Sequence, residues 1–414
     1  MTVHCSVFHS ELAKRQQREA GDTMKRRDVH GGPQQQRRQE RDASGSRAAK
    51  AAAPGPSEPS GSRSLLTPVK RLTMILVVVY VAIPFILRLF PVLLAKVIYL
   101  NMLKAPFFVD LQQPGLLLNH TTNFYLAPED GIIVGIWHTV PERREEEARG
   151  QSQEWFSASL SDNSPAIIYL HGNAGTRAAG HRIQLMKVLS GAGFHVLALD
   201  YRGYGESTGD PSEEGLTTDA VHLYEWVKER KRKGPVCFWG HSLGSGVATN
   251  AAKLLEEKGT PVDAVILEAP FTNIRDAVAS NPFAKLYRVF PGFEYFFLDV
   301  PALNNIFFPN DKNVKMLSSP LLILHAEDDH IVPVEMGTKL YEIADASRNS
   351  SDRTKLVLFP GGMGYKHNRI HMDPTLPGIA WHQISFGLCS ESHFKACTPD
   401  MCLSEPSYTC GCVN

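Results

Sequence analysis

The sequence predicts an α/β fold on a mostly parallel, doubly wound sheet, preceded by one transmembrane helix. Three observations carry this. Short apolar runs recur at "GIIVGIWHTV" (131–140), "AIIYLHG" (166–172), "HVLALDY" (195–201), "PVCFWGH" (235–241), "AVILEAP" (264–270), "PLLILHAE" (320–327) and "KLVLFPG" (355–361). Helix-period segments such as "HRIQLMKVLSGAG" and "EEGLTTDAVHLYEWVKERKRKG" lie between several of them. Upstream, "LTMILVVVYVAIPFILRLFPVLLA", residues 72–95, carries a single charge, Arg88.

The later runs are continuous rather than alternating, as in strands buried on both faces. Their alternation with helices, roughly every 30 residues, is the mark of right-handed βαβ units. No solenoid-length repeat is visible. A chain of 414 residues with 43% hydrophobic residues can bury an enzyme-sized core. Lys+Arg and Asp+Glu balance at 43 each, so no basic surplus points to nucleic acid as a partner.

The balance is uneven along the chain. Residues 1–71 hold 14 Lys or Arg against 7 acids, with "QQQRRQERD" and "AAKAAAPGPSEPSGS", and so few bulky apolar residues that a disordered basic tail is expected. As a helix, residues 72–95 would reach roughly 36 Å, enough for a hydrocarbon core of about 30 Å. Lys70, Arg71 and Lys96 bracket the run; Pro84 can kink a lipid-embedded helix, and Arg88 lies near one end, where its head can reach the headgroups. The basic tail favours a cytosolic N-terminus, which would place the bulk of the chain in a lumen. Asn119 in "NHT" and Asn349 in "NSS" are glycosylation acceptors such a placement could use. The expected organisation is a tail (1–71), a span (72–95), a linker (96–121), a catalytic domain (122–379) and a Cys-rich tail (380–414).

Gly240-His241-Ser242-Leu243-Gly244 sits between the predicted strand "VCFWG" and the predicted helix "GSGVATNAAKLLEEKG". This G-x-S-x-G in a strand-to-helix context is the nucleophile elbow of the α/β-hydrolase fold, with Gly240 and Gly244 as the flanking positions where only hydrogen fits. A serine hydroxyl needs a base and an acid to orient it, in the chain order Ser, acid, His. "LHAEDDHIVP" offers Glu327, Asp328 and Asp329; Asp329 is preferred because Asp-x-x-Val-Pro places it at the loop tip before the next helix. The candidate bases are His367, His371, His382 and His393, of which His367 in "GMGYKHN" is nearest the last strand. The oxyanion hole is expected from the backbone N–H of Leu243 and one in "HGNAG" (171–175), assigned to Asn173. His195 and Asp200 have H-x4-D spacing but flank a buried strand, and Arg202 in "DYRGYGES" is expected to pair locally.

The combination of "AIPFILRLFP", "GLLLNHT", "WHTVP", "YLHGNAGTR", "DYRGYGES", "WGHSLGSGVATN", "EAPFTNIR", "FPGFEYFFLD", "LLILHAEDD" and "GYKH" resembles the membrane-anchored monoacylglycerol and lysophosphatidylserine lipases of the alpha/beta-hydrolase-domain 12 type. The resemblance runs from about residue 72 to 379. It implies that Ser242, Asp329 and His367 form the triad, that the anchor is single-pass in the endoplasmic reticulum membrane with a luminal catalytic domain, and that lysophosphatidylserine and monoacylglycerols are the substrates. No cofactor and no metal are implied.

Residues 271–312 are dense in aromatics, and an insertion there is expected to cap the serine with a surface suited to an acyl chain. The C-terminus departs from the family. After "DPTLPGI" a final helix is expected to be missing, replaced by a tail holding Cys389, Cys397, Cys402, Cys410 and Cys412 in a spacing that matches no standard zinc pattern. Two alternatives to a lipase remain at this level: an acyltransferase on the same fold, and a non-catalytic membrane scaffold if the altered tail disables the triad.

Overall fold

The computed structural model describes residues 66–348 and 353–386. The basic segment before residue 66, Asn349, His393 and the five C-terminal cysteines lie outside the described residues. The seven apolar runs become seven strands: β2 (Ile132–Thr139), β3 (Ala166–Leu170), β4 (His195–Asp200), β5 (Val236–His241), β6 (Ala264–Glu268), β7 (Leu321–Ala326) and β8 (Thr354–Phe359). An eighth, β1 (Thr121–Glu129), precedes them. The sheet order is β1-β2-β4-β3-β5-β6-β7-β8. β2 is antiparallel to β1 and to β4, and every other pairing is parallel.

Continuous apolar runs follow from burial on both faces. Along β3, Ala166, Ile168 and Leu170 enter one core layer while Ile167 and Tyr169 enter the other. β5 divides the same way, with Val236 and Phe238 opposed to Cys237 and Trp239. The first layer is covered by α4 (Glu213–Arg230), α5 (Leu243–Glu257) and α6 (Val334–Ala346); the second by α3 (Gly180–Gly191) and α7 (Leu376–Phe386). β1 lacks a continuous run because it is an edge strand with a largely exposed second half.

Three expectations change. The apolar run at 72–95 is not one helix: α1 (Leu66–Leu89) stops at Phe90, and α2 (Pro91–Tyr99) begins with Pro91. Proline accepts a first helical position but expels its predecessor from the helical region, and Phe90 stands at φ −124° and ψ 68°. Pro84 lies inside α1. The expected linker is built structure: Ile98 and Tyr99 join the main core, as does Leu94 at the end of the expected span.

The third change is at the C-terminus, where the final helix expected to be missing after residue 379 is present as α7, from Leu376 to Phe386. Leu376, Ala380 and Ile384 share one face four residues apart and are buried beneath the sheet with Leu185 and Met186 of α3. The Trp381 indole N–H donates to the Ala192 carbonyl at 2.6 Å. A start at Leu-Pro-Gly and a small residue at the middle core position hide this period in the sequence. With Ile384 only 1% exposed, Ile384→Ala is expected to lower unfolding free energy by about 2–5 kcal/mol, read by denaturant titration of the detergent-solubilised chain.

Candidate active site

The turn between β5 and α5 brings Ser242 to φ 52° and ψ −116°, a conformation few non-glycine residues adopt. Backbone bonds hold it there: the Ser242 N–H donates to the Glu268 carbonyl at 2.9 Å, and the Ser245 N–H donates to the Ser242 carbonyl at 2.9 Å. The flanking glycines are obligatory. A β-carbon at Gly240 would lie 2.3 Å from the Gly244 carbonyl oxygen, and one at Gly244 would lie 1.9 Å from that of Leu170 in β3.

Parallel strands end on one edge of the sheet, so the loops after β3, β7 and β8 meet at this turn. His367 Nε2 lies 2.9 Å from Ser242 Oγ, and its Nδ1 lies 2.7 Å from Asp329 Oδ2. With Nδ1 protonated toward the carboxylate, Nε2 is free to accept the serine proton. Asp329 Oδ1 accepts from the Ile331 and Val332 N–H groups at 2.8 and 3.0 Å. Burial pushes the Asp329 carboxyl up, but hydrogen bonds from His325 and His367 and the charge of His367 outweigh it and hold the group well below the usual carboxylate range.

The three consecutive acids divide the work of holding the histidine loop. Glu327 accepts from the Gly361 N–H at 3.0 Å and Asp328 from the Lys366 N–H at 2.9 Å, leaving Asp329 to the imidazole. Of the other candidate bases, His371 lies in a short 3-10 turn (Ile370–Met372), and His382 on α7 pairs with Lys355. His195 bonds His138 and Asp162, and Asp200 bonds Arg177, at opposite ends of β4. Arg202 pairs with Asp219 and Glu129, each at 2.7 Å.

Asn173 lines the cavity in front of Ser242, and Leu243 opens α5, so its N–H has no partner within the helix. Among the described residues, neither backbone N–H donates to a protein acceptor. The loop carrying Asn173 is fastened by Arg182, whose guanidinium donates to the carbonyls of Gly172, Ala174 and Thr176 at 3.2, 2.8 and 2.7 Å. It is fastened on its other side by the segment after α2: the N–H groups of Ala174, Gly175 and Thr176 donate to the carbonyls of Tyr99, Leu103 and Ala105 at 3.2, 2.7 and 3.0 Å. Sequence reasoning missed Arg182 and this segment; neither carries a motif.

His241, inside the G-x-S-x-G itself, donates from Nε2 to the His367 carbonyl at 2.9 Å. Burial, with the facing His367, holds its ring well below the ordinary range, so it stays a neutral donor beneath the histidine loop. The cavity measures about 490 Å³; Leu103, Ala105, Pro106 and Ile331 form its apolar side. Residues 283–297 of the expected cap are not among the residues lining it.

Two comparisons with known proteins meet this geometry. The alpha/beta hydrolase fold family matches residues 165–306. The human protein ABHD12B is 57% identical over 284 residues, covering 69% of this chain and 78% of that one. The chicken lysophosphatidylserine lipase ABHD12 is 50% identical over 332 residues, covering 80% of this chain and 87% of its own length. The chain belongs to the ABHD12 family of α/β hydrolases. Within this family member, the zebrafish (Danio rerio) lysophosphatidylserine lipase ABHD12 finds 48% identity over 317 residues, 76% of the chain and 83% of the relative.

Behind the elbow, Glu268 is buried and accepts from the Trp239 indole N–H at 2.8 Å. Burial, reinforced by the Asp329 charge, pushes its carboxyl up to about 7 from an ordinary 4.5. Between those values the unfolded chain has lost a proton that the folded chain keeps, so stability falls as pH rises from 4.5 to about 7. Glu268→Gln keeps an acceptor for Trp239 and is expected to remove that slope: in thermal unfolding against pH, the variant's midpoint should rise above the wild type's as pH climbs through the window.

Proposed function

We propose that the chain is a membrane-anchored serine hydrolase of lipid acyl esters, with lysophosphatidylserine, other lysophospholipids and monoacylglycerols as substrates. The observation that carries this reading is the unbroken contact from Asp329 through His367 to Ser242, at 2.7 and 2.9 Å. Relatives named lysophosphatidylserine lipase support the substrate class.

In this reading Ser242 Oγ attacks the ester carbonyl carbon as His367 Nε2 takes its proton, and Asp329 stabilises the imidazolium. The N–H groups of Leu243 and Asn173 receive the developing oxyanion, at the N-terminus of α5 where the helix dipole favours negative charge. His367 returns the proton to the departing glycerol oxygen, leaving an acyl group on Ser242. Water then attacks the acyl carbon, giving its proton to His367, which returns it to Ser242 Oγ as the bond from Oγ to the acyl carbon breaks and the fatty acid leaves. The acyl chain lies along Leu103, Pro106 and Ile331.

The anchor is α1, in which residues 68–89 reach a mean hydropathy of 2.4. We place the N-terminal side in the cytosol and the hydrolase domain in the endoplasmic reticulum lumen. The basic bias of residues 1–71 and the exposed position of Asn119, just ahead of β1, support that orientation.

Membranes holding the full chain are expected to react with a fluorophosphonate probe. Ser242→Ala should abolish the labelling, and Asp329→Asn should slow ester turnover by roughly 10⁴-fold through loss of the correct tautomer. Undiminished labelling of Ser242→Ala would overturn the assignment. For topology, Asn119→Gln is expected to remove a glycosidase-sensitive mobility shift on gels.

A further inference from the structure

Tyr287, Phe290, Tyr295 and Phe296 pack on the membrane helix. Tyr287 stacks on Tyr80 with ring centroids 4.5 Å apart and planes 5° from parallel, and Phe296 meets Phe85 at 4.8 Å. The Arg88 guanidinium lies 4.0 Å over the Tyr295 ring, and the Tyr80 hydroxyl donates to the Leu286 carbonyl at 3.3 Å. One face of the last ten residues of α1 is therefore clasped by protein, with Val81, Phe85, Ile86 and Leu89 still exposed on the other, whereas every residue from Arg71 to Val79 is exposed.

The length of α1 makes this consequential. Its apolar run starts at Leu72, after Lys70 and Arg71, so the unclasped part, Leu72 to Val79, rises only about 12 Å. A hydrocarbon core of about 30 Å cannot be crossed on that length. Extended to Leu89 the run rises about 27 Å, close to what is required. The helix crosses only if its clasped half is in the hydrocarbon too, and whatever clasps it must follow.

The outward side of the clasp suits that location. Phe283, Leu286 and Val289 are 53%, 62% and 88% exposed. Lys285 and Arg288, exposed between them, have stems long enough to carry their charges to headgroups. Glu294 and Asp299 are both paired with Arg275. The segment after α2 presents Met102 and Phe108, 79% and fully exposed, beside the cavity wall formed by Leu103 and Pro106.

We propose that residues 282–298 form a second membrane-embedded element, sunk into one leaflet beside the C-terminal half of α1, with Phe283, Leu286 and Val289 against acyl chains. Its partner is the lipid leaflet itself. Met102 and Phe108 then rest at the lipid–water boundary, and the cavity opens where a single-chain lipid can slide in acyl end first. The inference rests on the reading of α1 as a membrane anchor.

The test uses the full chain in phosphatidylcholine vesicles containing phosphatidylserine, with an environment-sensitive fluorescent amino acid placed in turn at Val77, Val289 and Lys258. Lys258, just past the far end of α5, lies about 22 Å along that helix from the serine. Turnover of a soluble ester shows that each labelled chain is folded and reports separately on the hydrolase reading. Lipids carrying a nitroxide on the acyl chain are expected to quench Val77 and Val289 to a comparable extent and to leave Lys258 bright. Quenching at Val77 with none at Val289 overturns the embedded element and leaves the anchor standing. No quenching at either position overturns both.

Discussion

The close approach of α5 to β3 is the constraint on which the rest of the structure depends. Gly244 passes so near the Leu170 carbonyl that no side chain can occupy the position. That contact forces the reversal at Ser242 into its positive φ and sets the helix N-terminus behind the hydroxyl. Once the elbow is fixed on β5, neighbouring parallel strands deliver the other groups to the same edge: β3 the loop carrying Asn173, β7 the acids, β8 the histidine loop. The Phe308 ring, against which a β-carbon at Gly246 would come within 2.6 Å, presses on the next turn of α5 and keeps the helix seated.

Around the elbow, main-chain carbonyls and amides do most of the positioning, each held by a side chain: buried for Arg182 and His241, nearer the surface for Glu327 and Asp328. Arg182 gathers three carbonyls of one loop, Glu327 and Asp328 each pin an amide of another, and His241 holds the carbonyl of His367. Charged partners beneath a functional loop give stronger bonds than neutral ones, and the low dielectric of the interior raises the cost of releasing them. The site is stiff where the reaction needs fixed donors.

What the sequence made legible follows the strength of the local signal. Seven of eight strands were readable because strands buried on both faces must be apolar throughout, and β1 was not because only part of it meets the core. Ser242 was readable because glycine at two fixed offsets has no substitute. Asp329 and His367 came from chain order and loop position, and their acidic and histidine neighbours have the same residue types; only spatial contact separates them. Arg182, His241 and Glu268 act through geometry between distant segments and leave no motif. The helix break at Phe90 follows from the Pro91 rule, which the uniform hydrophobicity of residues 72–95 obscured. The aromatic density of residues 271–312 was visible, but where those rings turn is a tertiary choice: Tyr287, Phe290, Tyr295 and Phe296 turn to α1, while Phe271 and Phe308 join the main core.

The backbone bonds between residues 99–105 and 174–176 mean that the stretch beyond α1 cannot be treated as a tether. A cut between the end of α1 and Leu94 would leave the loop carrying Asn173 with all its supports, and residues 286–296 would still hold the severed helix. A cut past Ala105 would leave the serine, histidine and aspartate untouched while severing from the following chain all three carbonyls that strap Asn173's loop. The support of a loop beside Ser242 thus depends on the chain being continuous through Ala105, more than a hundred residues upstream in sequence.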